Sequence, residues 1–87
     1  MSDLSALFEF DPVLSPRGGP LYLQLRLWIE DAVRRGSVRA GEALPSERDL
    51  AVRADVSRVT VRKAMQDLVR DGVLVQRRGS GTFVAPQ

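Results

Sequence analysis

The stretch Leu44-Pro45-Ser46-Glu47-Arg48-Asp49-Leu50-Ala51-Val52-Arg53-Ala54-Asp55-Val56-Ser57-Arg58-Val59-Thr60-Val61-Arg62-Lys63-Ala64 decides how this chain reads. Ser46 stands three residues before Asp49, the spacing of a capping box, in which side-chain oxygens satisfy N–H groups that a helix start leaves unpaired. Leu50, Ala51 and Ala54 then make the buried side of a short helix. Asp55-Val56 turns the chain. Ser57 caps the next helix, whose apolar side runs Val61, Ala64, Met65, Leu68 and Val69 until Gly72 stops it. Two short helices joined by a tight turn predict a helix-turn-helix.

The charges on the second of these helices point the same way. Arg58, Arg62 and Lys63 fall in its first two turns, where the helix dipole is already positive. Cations there cost roughly a few tenths of a kcal/mol each in an isolated protein, and stability alone would favour Asp or Glu. An arriving anion reverses the sign, because backbone N–H groups and guanidinium groups then converge on it. Val59 projects outward by helical spacing, where its methyls can meet a thymine methyl. Thr60 offers a short hydroxyl to a phosphate or a base edge. Arginine suits guanine better than lysine does, since its planar fork bonds O6 and N7 together.

Downstream, Val73 to Arg78 and Thr82 to Ala85 are short β-prone runs around Gly79-Ser80-Gly81, a hairpin signal. Arg77 and Arg78 precede a glycine tip that lets backbone approach another surface closely, and adjacent guanidinium groups suit a minor groove. A bulky residue at Gly81 is therefore expected to weaken such an approach and to leave stability almost unchanged. Upstream, Pro20 can open a helix, its missing N–H being one that would go unpaired anyway. Leu21, Leu25, Trp28, Ile29, Ala32 and Val33 recur at three- and four-residue spacing as its apolar face, with Trp28 read as core, and Gly36 ends it. Residues 1–19 read as a leader. Asp11-Pro12, Ser15-Pro16 and Gly18-Gly19 break it, while Leu4, Leu7, Phe8, Phe10, Val13 and Leu14 make it apolar enough to pack on its own domain or on a twin.

The 87 residues make one small domain, with 44% hydrophobic and 28% charged residues, an ordinary globular composition. The chain contains no Cys and no His. That removes disulfides, thiol nucleophiles, the commonest general base and the commonest metal ligand, so neither enzyme activity nor a cofactor or metal is expected. Ser46, Ser57 and Ser80 lack a His partner. No run approaches the ~20 apolar residues of a membrane span, and no cationic segment precedes an apolar run, so a cytoplasmic protein is expected. The net charge of +2 is unevenly spread. Residues 1–44 hold five Arg against six acids, whereas residues 57–87 hold six bases against two acids. A basic C-terminal half favours a polyanionic partner.

The segments Leu44 to Ala51, Val56 to Ala64, Leu68 to Gly72 and Gly79 to Val84 together resemble the DNA-binding domain of the GntR family of bacterial regulators. Pro20-Leu21-Tyr22-Leu23-Gln24 is similar to the HutC-type subfamily. The resemblance covers about residues 20–85 and rests on several ordered motifs. It implies an α+β fold, a winged helix-turn-helix of three helices and a two-stranded hairpin wing, with a short third strand near Ala43-Leu44. It implies that Arg58, Thr60 and Arg62 meet the major groove, that Arg48 and Ser57 contact backbone or base edges, and that the glycine wing enters the minor groove. With the residue reading above, the expected DNA-binding set is Arg48, Ser57, Arg58, Val59, Thr60, Arg62, Lys63, Arg77, Arg78, Gly79, Ser80 and Gly81.

The expected function is sequence-specific binding of double-stranded DNA by a transcriptional regulator, a metabolite-responsive repressor. A palindromic operator would be bound by a homodimer, on DNA or in the full-length protein. Residues 86–87 are expected to begin a linker to a C-terminal effector domain, outside this chain, that binds the small molecule. A winged-helix module that binds protein is the alternative, and it would carry acids or apolar residues where these arginines stand. RNA readers usually display aromatics for base stacking, and in the chain after Trp28 the one aromatic is Phe83, at a position that reads as core.

Overall fold

The structure, a computed structural model, describes residues 14, 15 and 17–86; the expected leader up to residue 13, residue 16 and residue 87 lie outside the described residues. Along the chain stand α1 (Leu21–Arg34), α2 (Glu47–Ala54), α3 (Arg58–Arg70), β1 (Leu74–Arg77) and β2 (Gly81–Val84). Helix α1 starts immediately after Pro20, whose carbonyl accepts from the N–H groups of Leu23 and Gln24 at 3.1 and 3.2 Å. Before it, the Gln24 amide ties the approaching chain down: Nε2 donates to the carbonyls of Ser15 (2.7 Å) and Gly19 (3.0 Å), and Oε1 accepts from the Ser15 N–H (2.9 Å).

The two expected caps form. Ser46 Oγ accepts from the Asp49 N–H at 3.1 Å, and Ser57 Oγ accepts from the Thr60 N–H at 3.1 Å. Between the helices Asp55 adopts φ 57° and ψ 49°, a left-handed conformation that a short polar side chain tolerates better than a branched apolar one. That one residue reverses the chain and sets α3 across α2.

The core is shared by every element. Leu25 and Ile29 of α1, Leu50 of α2, Val61, Ala64 and Leu68 of α3, Leu74 of β1 and Val84 of β2 are all buried, and Trp28, Tyr22 and Leu14 pack against its edge. Burying each large side chain is worth about 1.5–3 kcal/mol before chain entropy is set against it. The apolar spacing misplaces one boundary on α3. Val69 is only partly buried, and Asp67, which the spacing leaves on the polar side, is 7% exposed. A buried carboxylate needs counter-charge. Arg26 of α1 lies 4.0 Å from it, Arg70 lies 3.2 Å from it, and Arg26 also meets Asp71 at 2.8 Å. This cluster fastens α1 to the C-terminal half of α3.

The hairpin is antiparallel, with Leu74 opposite Val84, Val75 opposite Phe83, Gln76 opposite Thr82 and Arg77 opposite Gly81. Gly81 therefore belongs to the second strand, and the tip is Arg78-Gly79-Ser80. The third strand expected near Ala43-Leu44 is a single bridge, Ala43 to Phe83, flanked by bonds from the Leu44 N–H to the Thr82 carbonyl (2.8 Å) and from the Val84 N–H to the Glu42 carbonyl (2.9 Å). Pro45 follows at once. Three helices and a two-stranded wing in this order make a winged helix-turn-helix. Among the described residues no helix is long and apolar enough to cross a membrane.

Candidate nucleic-acid interface

Capping fixes the start of α3, and with it the direction in which its first side chains leave the backbone. Arg58 and Arg62 emerge one turn apart, with side chains 60% and 52% exposed, and both reach Glu47 in the first turn of α2. Arg62 approaches the carboxylate edge-on, with Nη2 3.2 Å from Oε1 and Nε 3.3 and 3.4 Å from the two oxygens. Arg58 Nη2 stands 3.8 Å from Oε1. Val59 points outward and is 72% exposed, as its helical position predicts.

A groove of about 400 Å³ runs between these helix starts and the wing. Glu47, Arg48 and Arg58 line one wall, and Gln76, Ser80 and Gly81 line the other. Arg48 is exposed in the first turn of α2. The expected site residues Arg48, Arg58, Ser80 and Gly81 thus share one concave surface, with Arg62 joined to it through Glu47.

Beyond the groove, Arg77, Arg78 and Gly79 cover an exposed face of the wing. The Arg77 guanidinium carbon lies 5.4 Å from the centre of the Phe83 ring, a stacking that keeps the charge beside the strand. Gly79 and Gly81 have φ values of +79° and +115°. The expectation that a bulky residue at Gly81 leaves stability unchanged is corrected here. A Cβ at Gly81 would meet nothing within 4 Å, but the backbone conformation itself strains any L side chain. The glycines serve the turn first.

Of the expected residues on α3 and its cap, Ser57, Val59, Thr60 and Lys63 do not line the groove. Lys63 Nζ lies 4.7 Å over the Tyr22 ring, so it faces α1. Thr60 is half-buried, and its hydroxyl bonds that of Ser57 at 3.0 Å; both oxygens work at the helix cap. Sequence reading misses Glu47 and Gln76 as site residues. Gln76 lies two residues after the buried Leu74 in β1, so strand alternation would place it on the buried face and gives no signal for its exposure. Glu47 gives none, because an acid in a first helical turn is adequately explained by the helix dipole.

Acids on α1 offset some of the other bases locally. On α1, Arg34 meets Glu30 at 3.7 Å and Arg35 meets Asp31 at 2.9 Å, each one turn away. Among the described residues neither Arg77 nor Arg78 has an acidic partner within ion-pair distance. Uncompensated positive charge therefore lies on the wing, beside a groove whose floor carries a partly neutralised arginine pair.

Comparison with known proteins gives a consistent set of likenesses. The family described as "Bacterial regulatory proteins, gntR family" matches residues 21–84. The chain is 46% identical over 72 residues to the HTH-type transcriptional regulator GgaR of Escherichia coli (strain K12), covering 83% of this chain and 29% of that protein. It is 45% identical over 67 residues to the "Probable fructoselysine utilization operon transcriptional repressor" of the same strain, covering 77% of this chain and 28% of that protein. The chain thus spans under a third of the length of these curated relatives. Its fold is similar to that of the AraR DNA-binding domain crystallised with operator ORX1, with a TM-score of 0.78 and 36% identity over 87% of this chain and 98% of that one.

Proposed function

We propose that this chain, which belongs to the gntR family of bacterial regulatory proteins, is the operator-reading domain of a cytoplasmic transcriptional regulator, a repressor controlled by a metabolite. The observation that carries this reading is the groove shared by the starts of α2 and α3 and by the wing, with arginines exposed along it. Helix α3 enters the major groove. There Arg58 and Arg62 bond guanine and Val59 meets a thymine methyl, each good bidentate pair giving about 1–3 kcal/mol of discrimination. Ser57 and Thr60 fix the helix start and approach the backbone. Arg48 and Lys63 contact phosphates on either side. Arg77, Arg78, Gly79, Ser80 and Gly81 carry the wing into the minor groove, where close approach and charge count for more than base identity.

The Pro20 to Gln24 segment supports assignment to the HutC-type subfamily, since Pro20 opens α1 and Gln24 anchors the preceding turn. In the whole protein a C-terminal domain beyond residues 86–87 binds the small-molecule effector and holds two copies together. Helix-turn-helix dimers read half-sites about one helical turn apart, so a palindromic operator is expected. Regulation, not catalysis, is the proposed role. A module that binds protein gains no support from a surface this rich in arginine.

The test is enrichment of duplexes from a random pool by this chain, followed by sedimentation of the enriched duplex with increasing protein. A palindromic sequence that takes up two copies supports the proposal. Saturation of a complete palindrome by one copy rules out the paired arrangement, and failure to enrich any sequence rules out operator reading.

A further inference from the structure

We infer that Glu47 sets the selectivity of this surface: it positions the Arg62 guanidinium for a guanine and discourages the arginine pair from settling on phosphates. The inference rests on the DNA-reading function proposed above.

A guanidinium presents two usable edges here, the Nε/Nη2 side and the end-on fork of Nη1 and Nη2. Glu47 engages Arg62 by the first, with Nη2 at 3.2 Å and Nε at 3.3 and 3.4 Å from its carboxylate oxygens. Nη1 of the end-on fork has no hydrogen-bond partner among the described residues on a side chain 52% exposed, and that fork matches O6 and N7 of guanine. Both partners start from capped helices, so the backbone beneath them is fixed. Holding one edge of a long side chain before the ligand arrives removes rotamer freedom that binding would otherwise have to remove.

The charge acts in a second way. Glu47 lies within 3.8 Å of Arg58 as well as Arg62, so one carboxylate offsets part of two cations. Its side chain is 27% exposed and lines the groove beside Arg48, where a duplex would lie. Non-specific affinity grows with the number of phosphates neutralised. A carboxylate among those cations lowers that number and repels phosphates directly. At a guanine it can keep its hold on Arg62, so the penalty falls on the wrong sequences. A purely local role, complementing the α2 dipole, is already filled by Asp49 in the same turn.

The experiment compares Glu47→Gln and Glu47→Asp with the parent chain, on the duplex the parent enriches from a random pool and on a scrambled duplex of the same composition. Glu47→Gln is expected to lower the ratio of the two affinities about tenfold, the scale of one base-pair preference. It should also steepen the salt dependence on scrambled duplex by up to about one unit. Glu47→Asp keeps the charge but is a methylene too short to hold both arginines, so it should lose operator affinity while scrambled affinity stays at the parent's value. In an Arg62→Ala background Glu47→Gln should change no base preference. A ratio that survives Glu47→Gln overturns the inference alone. A preference still lost in the Arg62→Ala background makes Glu47 a direct reader and also overturns it. A parent chain that enriches no sequence overturns the DNA-reading function and this inference with it.

Discussion

The two arginine-bearing surfaces of this domain are built differently. At the starts of α2 and α3, Arg58 and Arg62 stand on capped helices and share the carboxylate of Glu47. On the wing, Arg77 ends β1 and Arg78 opens a turn that needs a left-handed glycine, and among the described residues no acid pairs with either. A side chain held by an acid on fixed backbone has one preferred direction, which is what reading a base edge requires. A cation at a turn with no acid beside it has reach and charge, which is what gripping a phosphate-lined groove requires. The helices select and the wing holds.

The largest expected effect breaks the first half of that contrast. Arg62→Ala should weaken operator binding by about 1–3 kcal/mol, roughly five- to 150-fold, and relax preference at one base pair, with scrambled duplex affected much less. Titration of both duplexes checks it, and a uniform loss would place Arg62 among the phosphate-binding residues. The double replacement Arg77→Ala with Arg78→Ala addresses the other half. It should weaken operator and scrambled duplex alike and make the salt dependence shallower by about two units, one for each phosphate no longer neutralised. A change in base preference would move the wing into the reading role.

Smaller effects sharpen the boundary between the surfaces. Gly79→Ala puts a side chain at φ +79°, which should cost about 1 kcal/mol of stability and lower the melting temperature by about 4–8 °C in a domain of this size. Its DNA binding should fall without loss of selectivity, read by thermal melting beside titration. The smallest effect belongs to Arg48→Ala, in the first turn of α2. It should reduce the salt slope by about one unit and leave the operator-to-scrambled ratio intact.

Much of this arrangement is legible in the sequence because it is local. Ser46 and Ser57 announce both helix starts, Asp55 the turn and Gly79-Ser80-Gly81 the hairpin, and each depends on neighbours within four residues. Leu25, Ile29, Val61 and Leu68 follow from helical spacing alone. What escapes is set by how elements cross. Glu47 meets residues 11 and 15 positions away only because the Asp55 turn lays α3 against α2. Lys63 reads with the other bases of α3, but its helical position turns it toward Tyr22 on α1. Asp67 looks solvent-facing until Arg26 arrives from α1 to pair with it. The third strand shrinks to one bridge, Ala43 to Phe83, which depends on how the loop before α2 meets the wing.

Methylation protection on the enriched operator tests the division between helix and wing most directly, since one reagent reports guanine N7 in the major groove and adenine N3 in the minor groove. The parent chain should protect guanine N7 within each half-site and adenine N3 where the wing lies. Arg62→Ala should lose protection of a guanine N7 and keep the adenine pattern, and the Arg77→Ala, Arg78→Ala pair should do the reverse. Loss of both patterns together in either variant, or a parent footprint with no guanine N7 protected, would contradict a surface that selects with its helices and holds with its wing.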